Sequence, residues 1–186
     1  MSDDVKTRMI RETARALARK GLQRASFSQI LEASGAPRGS LYHHFPGGKR
    51  ELVLKAVAAA GEHALAGLAR LDGRPASEVA AGFIDLWRQL LLASDFGAGC
   101  AVVAVTVAAE APGELAAAAA VFSAWRARLA EALERGGVAA PAAAALAATI
   151  LAALEGAVAL ARAERSLAAF ELVATELVAW VRAAES

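Results

Sequence analysis

An all-α fold is predicted for this chain of 186 residues by three observations. Gly and Pro punctuation cuts the chain into helix-length segments. Apolar side chains recur within those segments at core spacing. Much of the 57% hydrophobic content is Ala, which favours helices and close helix packing over membrane insertion. The expected architecture is a three-helix N-terminal domain over residues 1–48 and a larger helical domain over residues 49–186, about nine helices in all.

The first helix carries Arg8, Arg11, Arg15 and Arg19 at intervals of three or four, which reads as a solvated outer face. The second begins at Ser26, whose hydroxyl caps it, and Gln29, three positions on, is expected to reach back and complete a capping box. Phe27, Ile30 and Leu31 form its inward stripe. Gly35 tolerates positive φ, and Pro37 both discourages continuation of the second helix and suits the opening turn of the third. In that third helix Leu41 and Phe45 lie one turn apart and point inward. Gly39, Ser40 and His43 then lie on the opposite side, with Arg38, Tyr42 and His44 on the flanks.

A fourth helix is expected from Lys49 to Leu71, ending before Asp72-Gly73-Arg74-Pro75, and a fifth from Ala76 to Ala93, stopping at Asp95-Phe96-Gly97. Gly99 to Glu110 is ambiguous, because Val102, Val103, Val105 and Val107 also have strand propensity. Pro112 to Arg135 carries Phe122, Trp125 and Leu129 at helical core spacing and is closed by Gly136-Gly137. Pro141 to Arg165 and Ser166 to Ala184 complete the set as two long helices. The uncharged run Val138 to Leu154 is Ala-dominated and is expected to fall short of the about 20 strongly apolar residues that a spanning helix needs.

Two short helices joined by a tight Gly-containing turn, followed by exposed polar and aromatic groups, form the pattern of a helix-turn-helix reader of double-stranded DNA. Arg38 can donate to guanine or phosphate, His43 and His44 to base edges or backbone, and Ser40 and Tyr42 to phosphate oxygens. Gly39 matters by lacking a side chain, which lets the helix approach the groove floor. Lys49, beside the backbone N–H groups that open the fourth helix, is placed to clamp a phosphate, and Ser26 offers a similar clamp. Charge agrees. Residues 1–50 hold ten basic and four acidic side chains, a net +6, while the whole chain is +1, leaving −5 for the remaining 136 residues.

The segment resembles the DNA-binding domain of the TetR family of transcriptional repressors. The family pattern is a helix, a helix-turn-helix ending in LYxHF, and a Lys near the start of a long fourth helix; here it reads Leu41-Tyr42-His43-His44-Phe45 and Lys49. Pro46-Gly47-Gly48 is one residue longer than the commonest spacing, and HFPGGKREL is similar to the LmrA/YxaF-like branch. The resemblance implies that Arg38, Gly39, Ser40, Tyr42, His43 and His44 face the groove and that Lys49 holds phosphate. It also implies a C-terminal small-molecule pocket taking a mostly apolar aromatic effector.

Candidates to line that pocket are Phe83, Trp87, Val103, Phe122, Trp125 and Leu154, with Arg88, Arg126 and Glu155 as polar anchors. Glu155 interrupts an otherwise uncharged stretch and needs a partner or a polar ligand. The two long C-terminal helices point to a homodimer through Leu146, Ile150, Ala153, Phe170, Val173, Leu177 and Trp180; the same residues could instead close the protomer's own core. A twofold dimer sets two readers about 34–36 Å apart, which calls for a palindromic operator.

Catalysis is not expected, and neither a cofactor nor a metal is implied. Two of the three His residues lie in the reader helix, His63 stands alone in the fourth, and no metal-ligand spacing occurs. Gly47-Gly48-Lys49-Arg50 lacks the earlier Gly and the following Ser or Thr of a phosphate-binding loop. The lone Cys100 rules out an internal disulfide framework and fits a reducing cytoplasm. No signal peptide is read ahead of the first helix, and no membrane partner is expected. The expected function is therefore a ligand-responsive repressor. Two alternatives remain: an effector-independent DNA-binding protein, and a helical small-molecule-binding protein or enzyme whose N-terminal unit is structural.

Overall fold

Helix follows helix along the chain, and the reason at each junction is local chemistry. The computed structural model describes residues 4–37 and 39–185, Ser40 by its backbone alone. Nine helices occur among the described residues: α1 (Val5–Arg24), α2 (Phe27–Ser34), α3 (Ser40–His44), α4 (Gly48–Ala69), α5 (Ala76–Ala93), α6 (Ala101–Thr106), α7 (Pro112–Arg135), α8 (Ala140–Glu164) and α9 (Ala168–Ala184). The only extended pairing among them is an isolated bridge between Val138 and Glu185.

Two units pack separately. The first comprises residues up to Glu62 together with Cys100–Val121, and the second comprises His63–Gly99 with Phe122 onward, so α4 and α7 each contribute to both. These units run differently from the expected division at residues 48 and 49, because α6 packs on α1 and so belongs with the reader.

In the first unit α1 packs against α2 and α6. Met9, Ile30, Leu31, Leu41, Phe45 and Leu52 form its buried cluster, with Val5, Ile10, Ala16, Phe27 and Ala36 packed against it. α1 turns sharply near its end at Gly21, whose φ of 77° and ψ of 173° place it in a conformation that is easy only without a Cβ. The Arg8 Nε–H donates to the carbonyl of Ser34 at 3.0 Å, tying α1 to the end of α2.

In the second unit α9 packs on α8 and α5, and α5 on α8. Phe83, Ile84 and Leu91 of α5, Ile150 and Leu154 of α8, and Phe170, Leu177 and Val181 of α9 fill its interior. One guanidinium stitches α5 to α9: Arg88 donates through Nε and Nη2 to the two carboxylate oxygens of Glu171 at 2.6 and 3.0 Å, and through Nη1 to Asp85 at 2.7 Å. It also stacks 5.7 Å from the Phe170 ring centroid.

The hydrogen bond from Arg88 holds the Glu171 carboxyl below its ordinary value of 4.5. A carboxylate whose pKa is lowered by folding adds stability that is complete above its unfolded pKa and is lost as the pH falls through the folded value. Glu171→Gln is therefore expected to lower stability at pH 7 by about 0.5–1 kcal/mol, since the pair is partly screened by solvent. The difference from the parent should narrow steadily as the pH falls below 4.5 in chemical unfolding followed by circular dichroism.

The ends of α5 and α9 meet. Glu185, following α9, accepts the backbone N–H of Ser77 in the first turn of α5, a contact that lowers its carboxyl pKa. Gly136, following α7, accepts the N–H of Ala76 at 3.0 Å.

Several expected boundaries shift for identifiable reasons. α4 begins at Gly48 and ends at Ala69 rather than running from Lys49 to Leu71, because residues 70–74 close a series of tight turns bonded back to Gly67, Leu68, Ala69 and Leu71. Gly99–Glu110 yields only the short α6. Val102 and Val105, three apart, are buried, Val107 is 78% exposed, and packing on α1 selects helix over strand. α9 starts at Ala168 instead of Ser166, whose hydroxyl accepts the Ala168 N–H at 3.1 Å.

By length and composition α4 and α8 could each cross a membrane, with mean hydropathies of 1.4 and 2.0 over their most apolar windows. α8 continues past Glu155 to Glu164, beyond the uncharged Val138–Leu154 run. Its buried residues, among them Ala147, Ile150, Leu154, Ala157 and Ala161, belong to the interior of the second unit.

Candidate nucleic-acid interface and ligand pocket

The helix-turn-helix is built by small polar and glycine devices around the buried cluster. Ser26 Oγ accepts the Gln29 N–H at 3.4 Å and opens α2. The second half of the expected capping box is not made: the side-chain oxygen of Gln29 instead accepts from Lys20 Nζ at 2.8 Å, fixing α2 to the end of α1. Gly35 closes α2 in the left-handed region at φ 64°, with its N–H bonded back to the carbonyls of Glu32 and Leu31.

α3 then turns Leu41 and Phe45 inward, 3% and 0% exposed, and leaves Tyr42 68% exposed. His43 is exposed, and His44 is half-buried with its ring edge-on to that of His43 at 4.9 Å. Gly39 is exposed and no atom lies within 4 Å of where a Cβ would stand. Arg38 and the Ser40 side chain lie outside the described residues.

At the start of α4, Lys49 is half-buried. Two neighbouring amides already have acceptors: Gly47 N–H donates to Glu51 Oε2 at 2.9 Å and Gly48 N–H to the Phe45 carbonyl at 2.8 Å. This narrows the expected clamp to the ammonium itself and the later amides of the first turn. The Arg15 guanidinium meets Glu12 at 2.6 Å, so part of the α1 arginine row is internally paired.

The expected pocket residues separate into groups. Phe83, Trp87, Trp125 and Leu154 are buried in the second unit. Their rings form a chain: Phe83 to Trp87 at 4.9 Å, Trp87 to Trp125 at 5.6 Å, and Trp125 to half-buried Phe122 at 5.8 Å, the last two edge-on. Phe122, Arg126 and Glu155 line a hollow of about 230 Å³ together with Ala148, Leu151 and Ala152. Val103 belongs to the first unit, on α6. Arg88, the other expected polar anchor, gives three N–H groups to Glu171 and Asp85.

Ala148, Leu151 and Ala152 were missed by the sequence reading, which favoured large aromatics. Counting back from Glu155 by three, four and seven along one helix face would have found them.

Of the expected dimer residues, Ile150, Phe170 and Leu177 are at most 2% exposed within the protomer's own second unit. Leu146, Ala153 and Val173 are half-buried, and Trp180 is 51% exposed.

A buried cluster drawn from α1 to α4, carrying an exposed polar helix face, defines a helix-turn-helix unit. Residues 9–56 match the bacterial regulatory proteins of the tetR family, and residues 75–176 match the C-terminal domain of LmrA/YxaF-like transcriptional regulators. The chain belongs to the TetR family of transcriptional regulators, with an LmrA/YxaF-like C-terminal domain. It is 40% identical over 177 residues to an uncharacterised HTH-type transcriptional regulator of Mycobacterium tuberculosis, covering 91% of this chain and 90% of that protein. It is 41% identical over 54 residues, 29% of each chain, to the HTH-type transcriptional regulator LmrA of Bacillus subtilis. The crystal structure of a TetR transcriptional regulator from Legionella pneumophila shares the fold at a TM-score of 0.85 and 22% identity, covering 95% of this chain and 97% of that one.

Proposed function

We propose that this regulator is a cytoplasmic, ligand-responsive repressor that binds a palindromic operator as a homodimer and is released by a small, mostly apolar effector. The observation that carries the reading is the two-sidedness of α3: Leu41 and Phe45 buried beneath it, Tyr42 and His43 exposed above it. The surplus of cations in residues 1–50 supports a polyanionic partner. Dimerisation rests on the exposed apolar groups of α8 and α9, including Leu160, Leu172 and Trp180. An effector acts by binding one conformation better than another, here one in which the two readers are wrongly spaced for successive major grooves.

The test is fluorescence anisotropy with the DNA flanking the protein's own gene. His43→Ala is expected to erase the preference for the palindrome over scrambled DNA. Lys49→Ala should instead weaken all duplexes alike and reduce the slope of log affinity against log salt by about one. An unchanged preference in the first variant removes His43 from base reading, and an unchanged slope in the second removes Lys49 from phosphate contact.

A further inference from the structure

Gln29 lies in the first turn of α2 but spends its side chain on the end of α1, its Oε1 accepting from Lys20 Nζ at 2.8 Å. Lys20 is the last residue before Gly21 leaves the helical path at φ 77° and ψ 173°, and the chain turns there into the start of α2. The backbone N–H of Gln29 goes to Ser26 Oγ and that of Ile30 to the Ser26 carbonyl. Ser26 therefore opens α2 without help from the Gln29 side chain, which is free to hold something else.

What it holds is a cation on the outside of the reader. Phe27, Ile30 and Leu31 pack in or against the buried cluster, whereas Lys20, Ser26, Ser28 and Gln29 are exposed. In a helix-turn-helix the helix that precedes the recognition helix crosses the sugar–phosphate backbone, so a charge fixed at the opening of α2 acts on phosphates rather than on bases.

We propose that Lys20 is a phosphate contact of the reader and that Gln29 is the positioning residue that holds its ammonium in place. Of the three N–H groups of the ammonium, one goes to Gln29 and two remain for phosphate oxygens. A lysine stem is flexible and loses freedom when it binds; one already tethered loses less, and the difference appears as affinity. The pair touches no base edge, so it strengthens binding to every duplex alike. This rests on the DNA-binding reading above and adds to it a second backbone contact, separate from Lys49, together with the residue that sets it.

A double-mutant cycle on the full-length protein tests both halves, read by anisotropy over a range of salt with the DNA flanking its own gene and a scrambled duplex of equal length. Lys20→Met is expected to weaken both duplexes about tenfold and to lower the slope of log affinity against log salt by about one. Gln29→Leu removes no charge, so it should weaken both about threefold with the slope unchanged. In the Lys20→Met background the same Gln29 substitution should change nothing. Both side chains are exposed, so thermal unfolding of the three variants should coincide with that of the parent. An unchanged slope in Lys20→Met overturns the phosphate contact. No weakening by Gln29→Leu, or equal weakening in both backgrounds, overturns the positioning role. In either case salt-dependent binding by the parent leaves the reader standing, whereas a parent whose DNA affinity ignores salt overturns the reader itself.

Discussion

Replacing Phe45 with alanine is expected to abolish specific DNA binding and to lower the stability of the N-terminal unit by about 3–5 kcal/mol. Phe45 is fully buried and shares one cluster with Met9 of α1, Ile30 and Leu31 of α2, Leu41 of α3 and Leu52 of α4. Its N–H also closes α3 by donating to the Leu41 carbonyl at 2.7 Å, and its carbonyl receives Gly48 N–H at the start of α4. Removing the ring leaves a cavity where four helices meet, and a five-residue helix such as α3 has no stability of its own to fall back on. Hydrogen exchange should show lost protection in α1 to α3 while α8 and α9 keep theirs, because the latter pack in the other unit. Tyr42→Ala is the matched control: at 68% exposure it should change stability by less than about 0.5 kcal/mol while weakening DNA binding. Normal DNA affinity in the Phe45 variant is the outcome that sinks this account of the reader.

Gly136→Ala is expected to destabilise the second unit by about 2–4 kcal/mol and to lower the melting temperature by roughly 5–15 °C. A Cβ at this position would lie 2.5 Å from the Ala76 nitrogen, 2.7 Å from its Cα and 2.9 Å from the Arg74 carbonyl oxygen. All three are backbone atoms with no rotamer to change, and the Ala76 N–H to Gly136 carbonyl bond would be pushed apart with them. Gly82→Ala supplies the contrast. Its Cβ would approach Leu71 Cδ2 at 2.6 Å, a methyl at the free end of a side chain that can rotate away. The loss there should be clearly smaller in the same thermal scan by circular dichroism. Equal losses in the two variants would show that the backbone approach at Gly136 is not what limits this junction.

Much of the N-terminal unit was legible because its signals are short-range. Ser26 capping α2, Gly35 in the left-handed region and the inward pair Leu41 and Phe45 each follow from residues within a few positions of one another. The same is true of α5 and α7, whose ends at Ala93 and Arg135 are set by the turn at Ser94–Gly97 and by Gly136-Gly137. Bonds to partners distant along the chain were not legible in this way. Gln29 was expected to serve its own helix and is held by Lys20, and Arg88 was expected to meet a ligand and is held by Glu171, 83 positions away.

The order of helices, their punctuation, the cationic N-terminal third and the polar face of α3 are properties of the sequence by itself, since each depends on local periodicity, backbone restriction or simple charge. Which apolar residues line a hollow and which fill a core was decided only by tertiary packing. Phe83 and Phe122 read alike along the chain, yet one is sealed inside the second unit and the other forms a wall of the hollow. Periodicity tells a side chain to leave water; it carries no information about which neighbour, 30 or 80 positions away, will cover it.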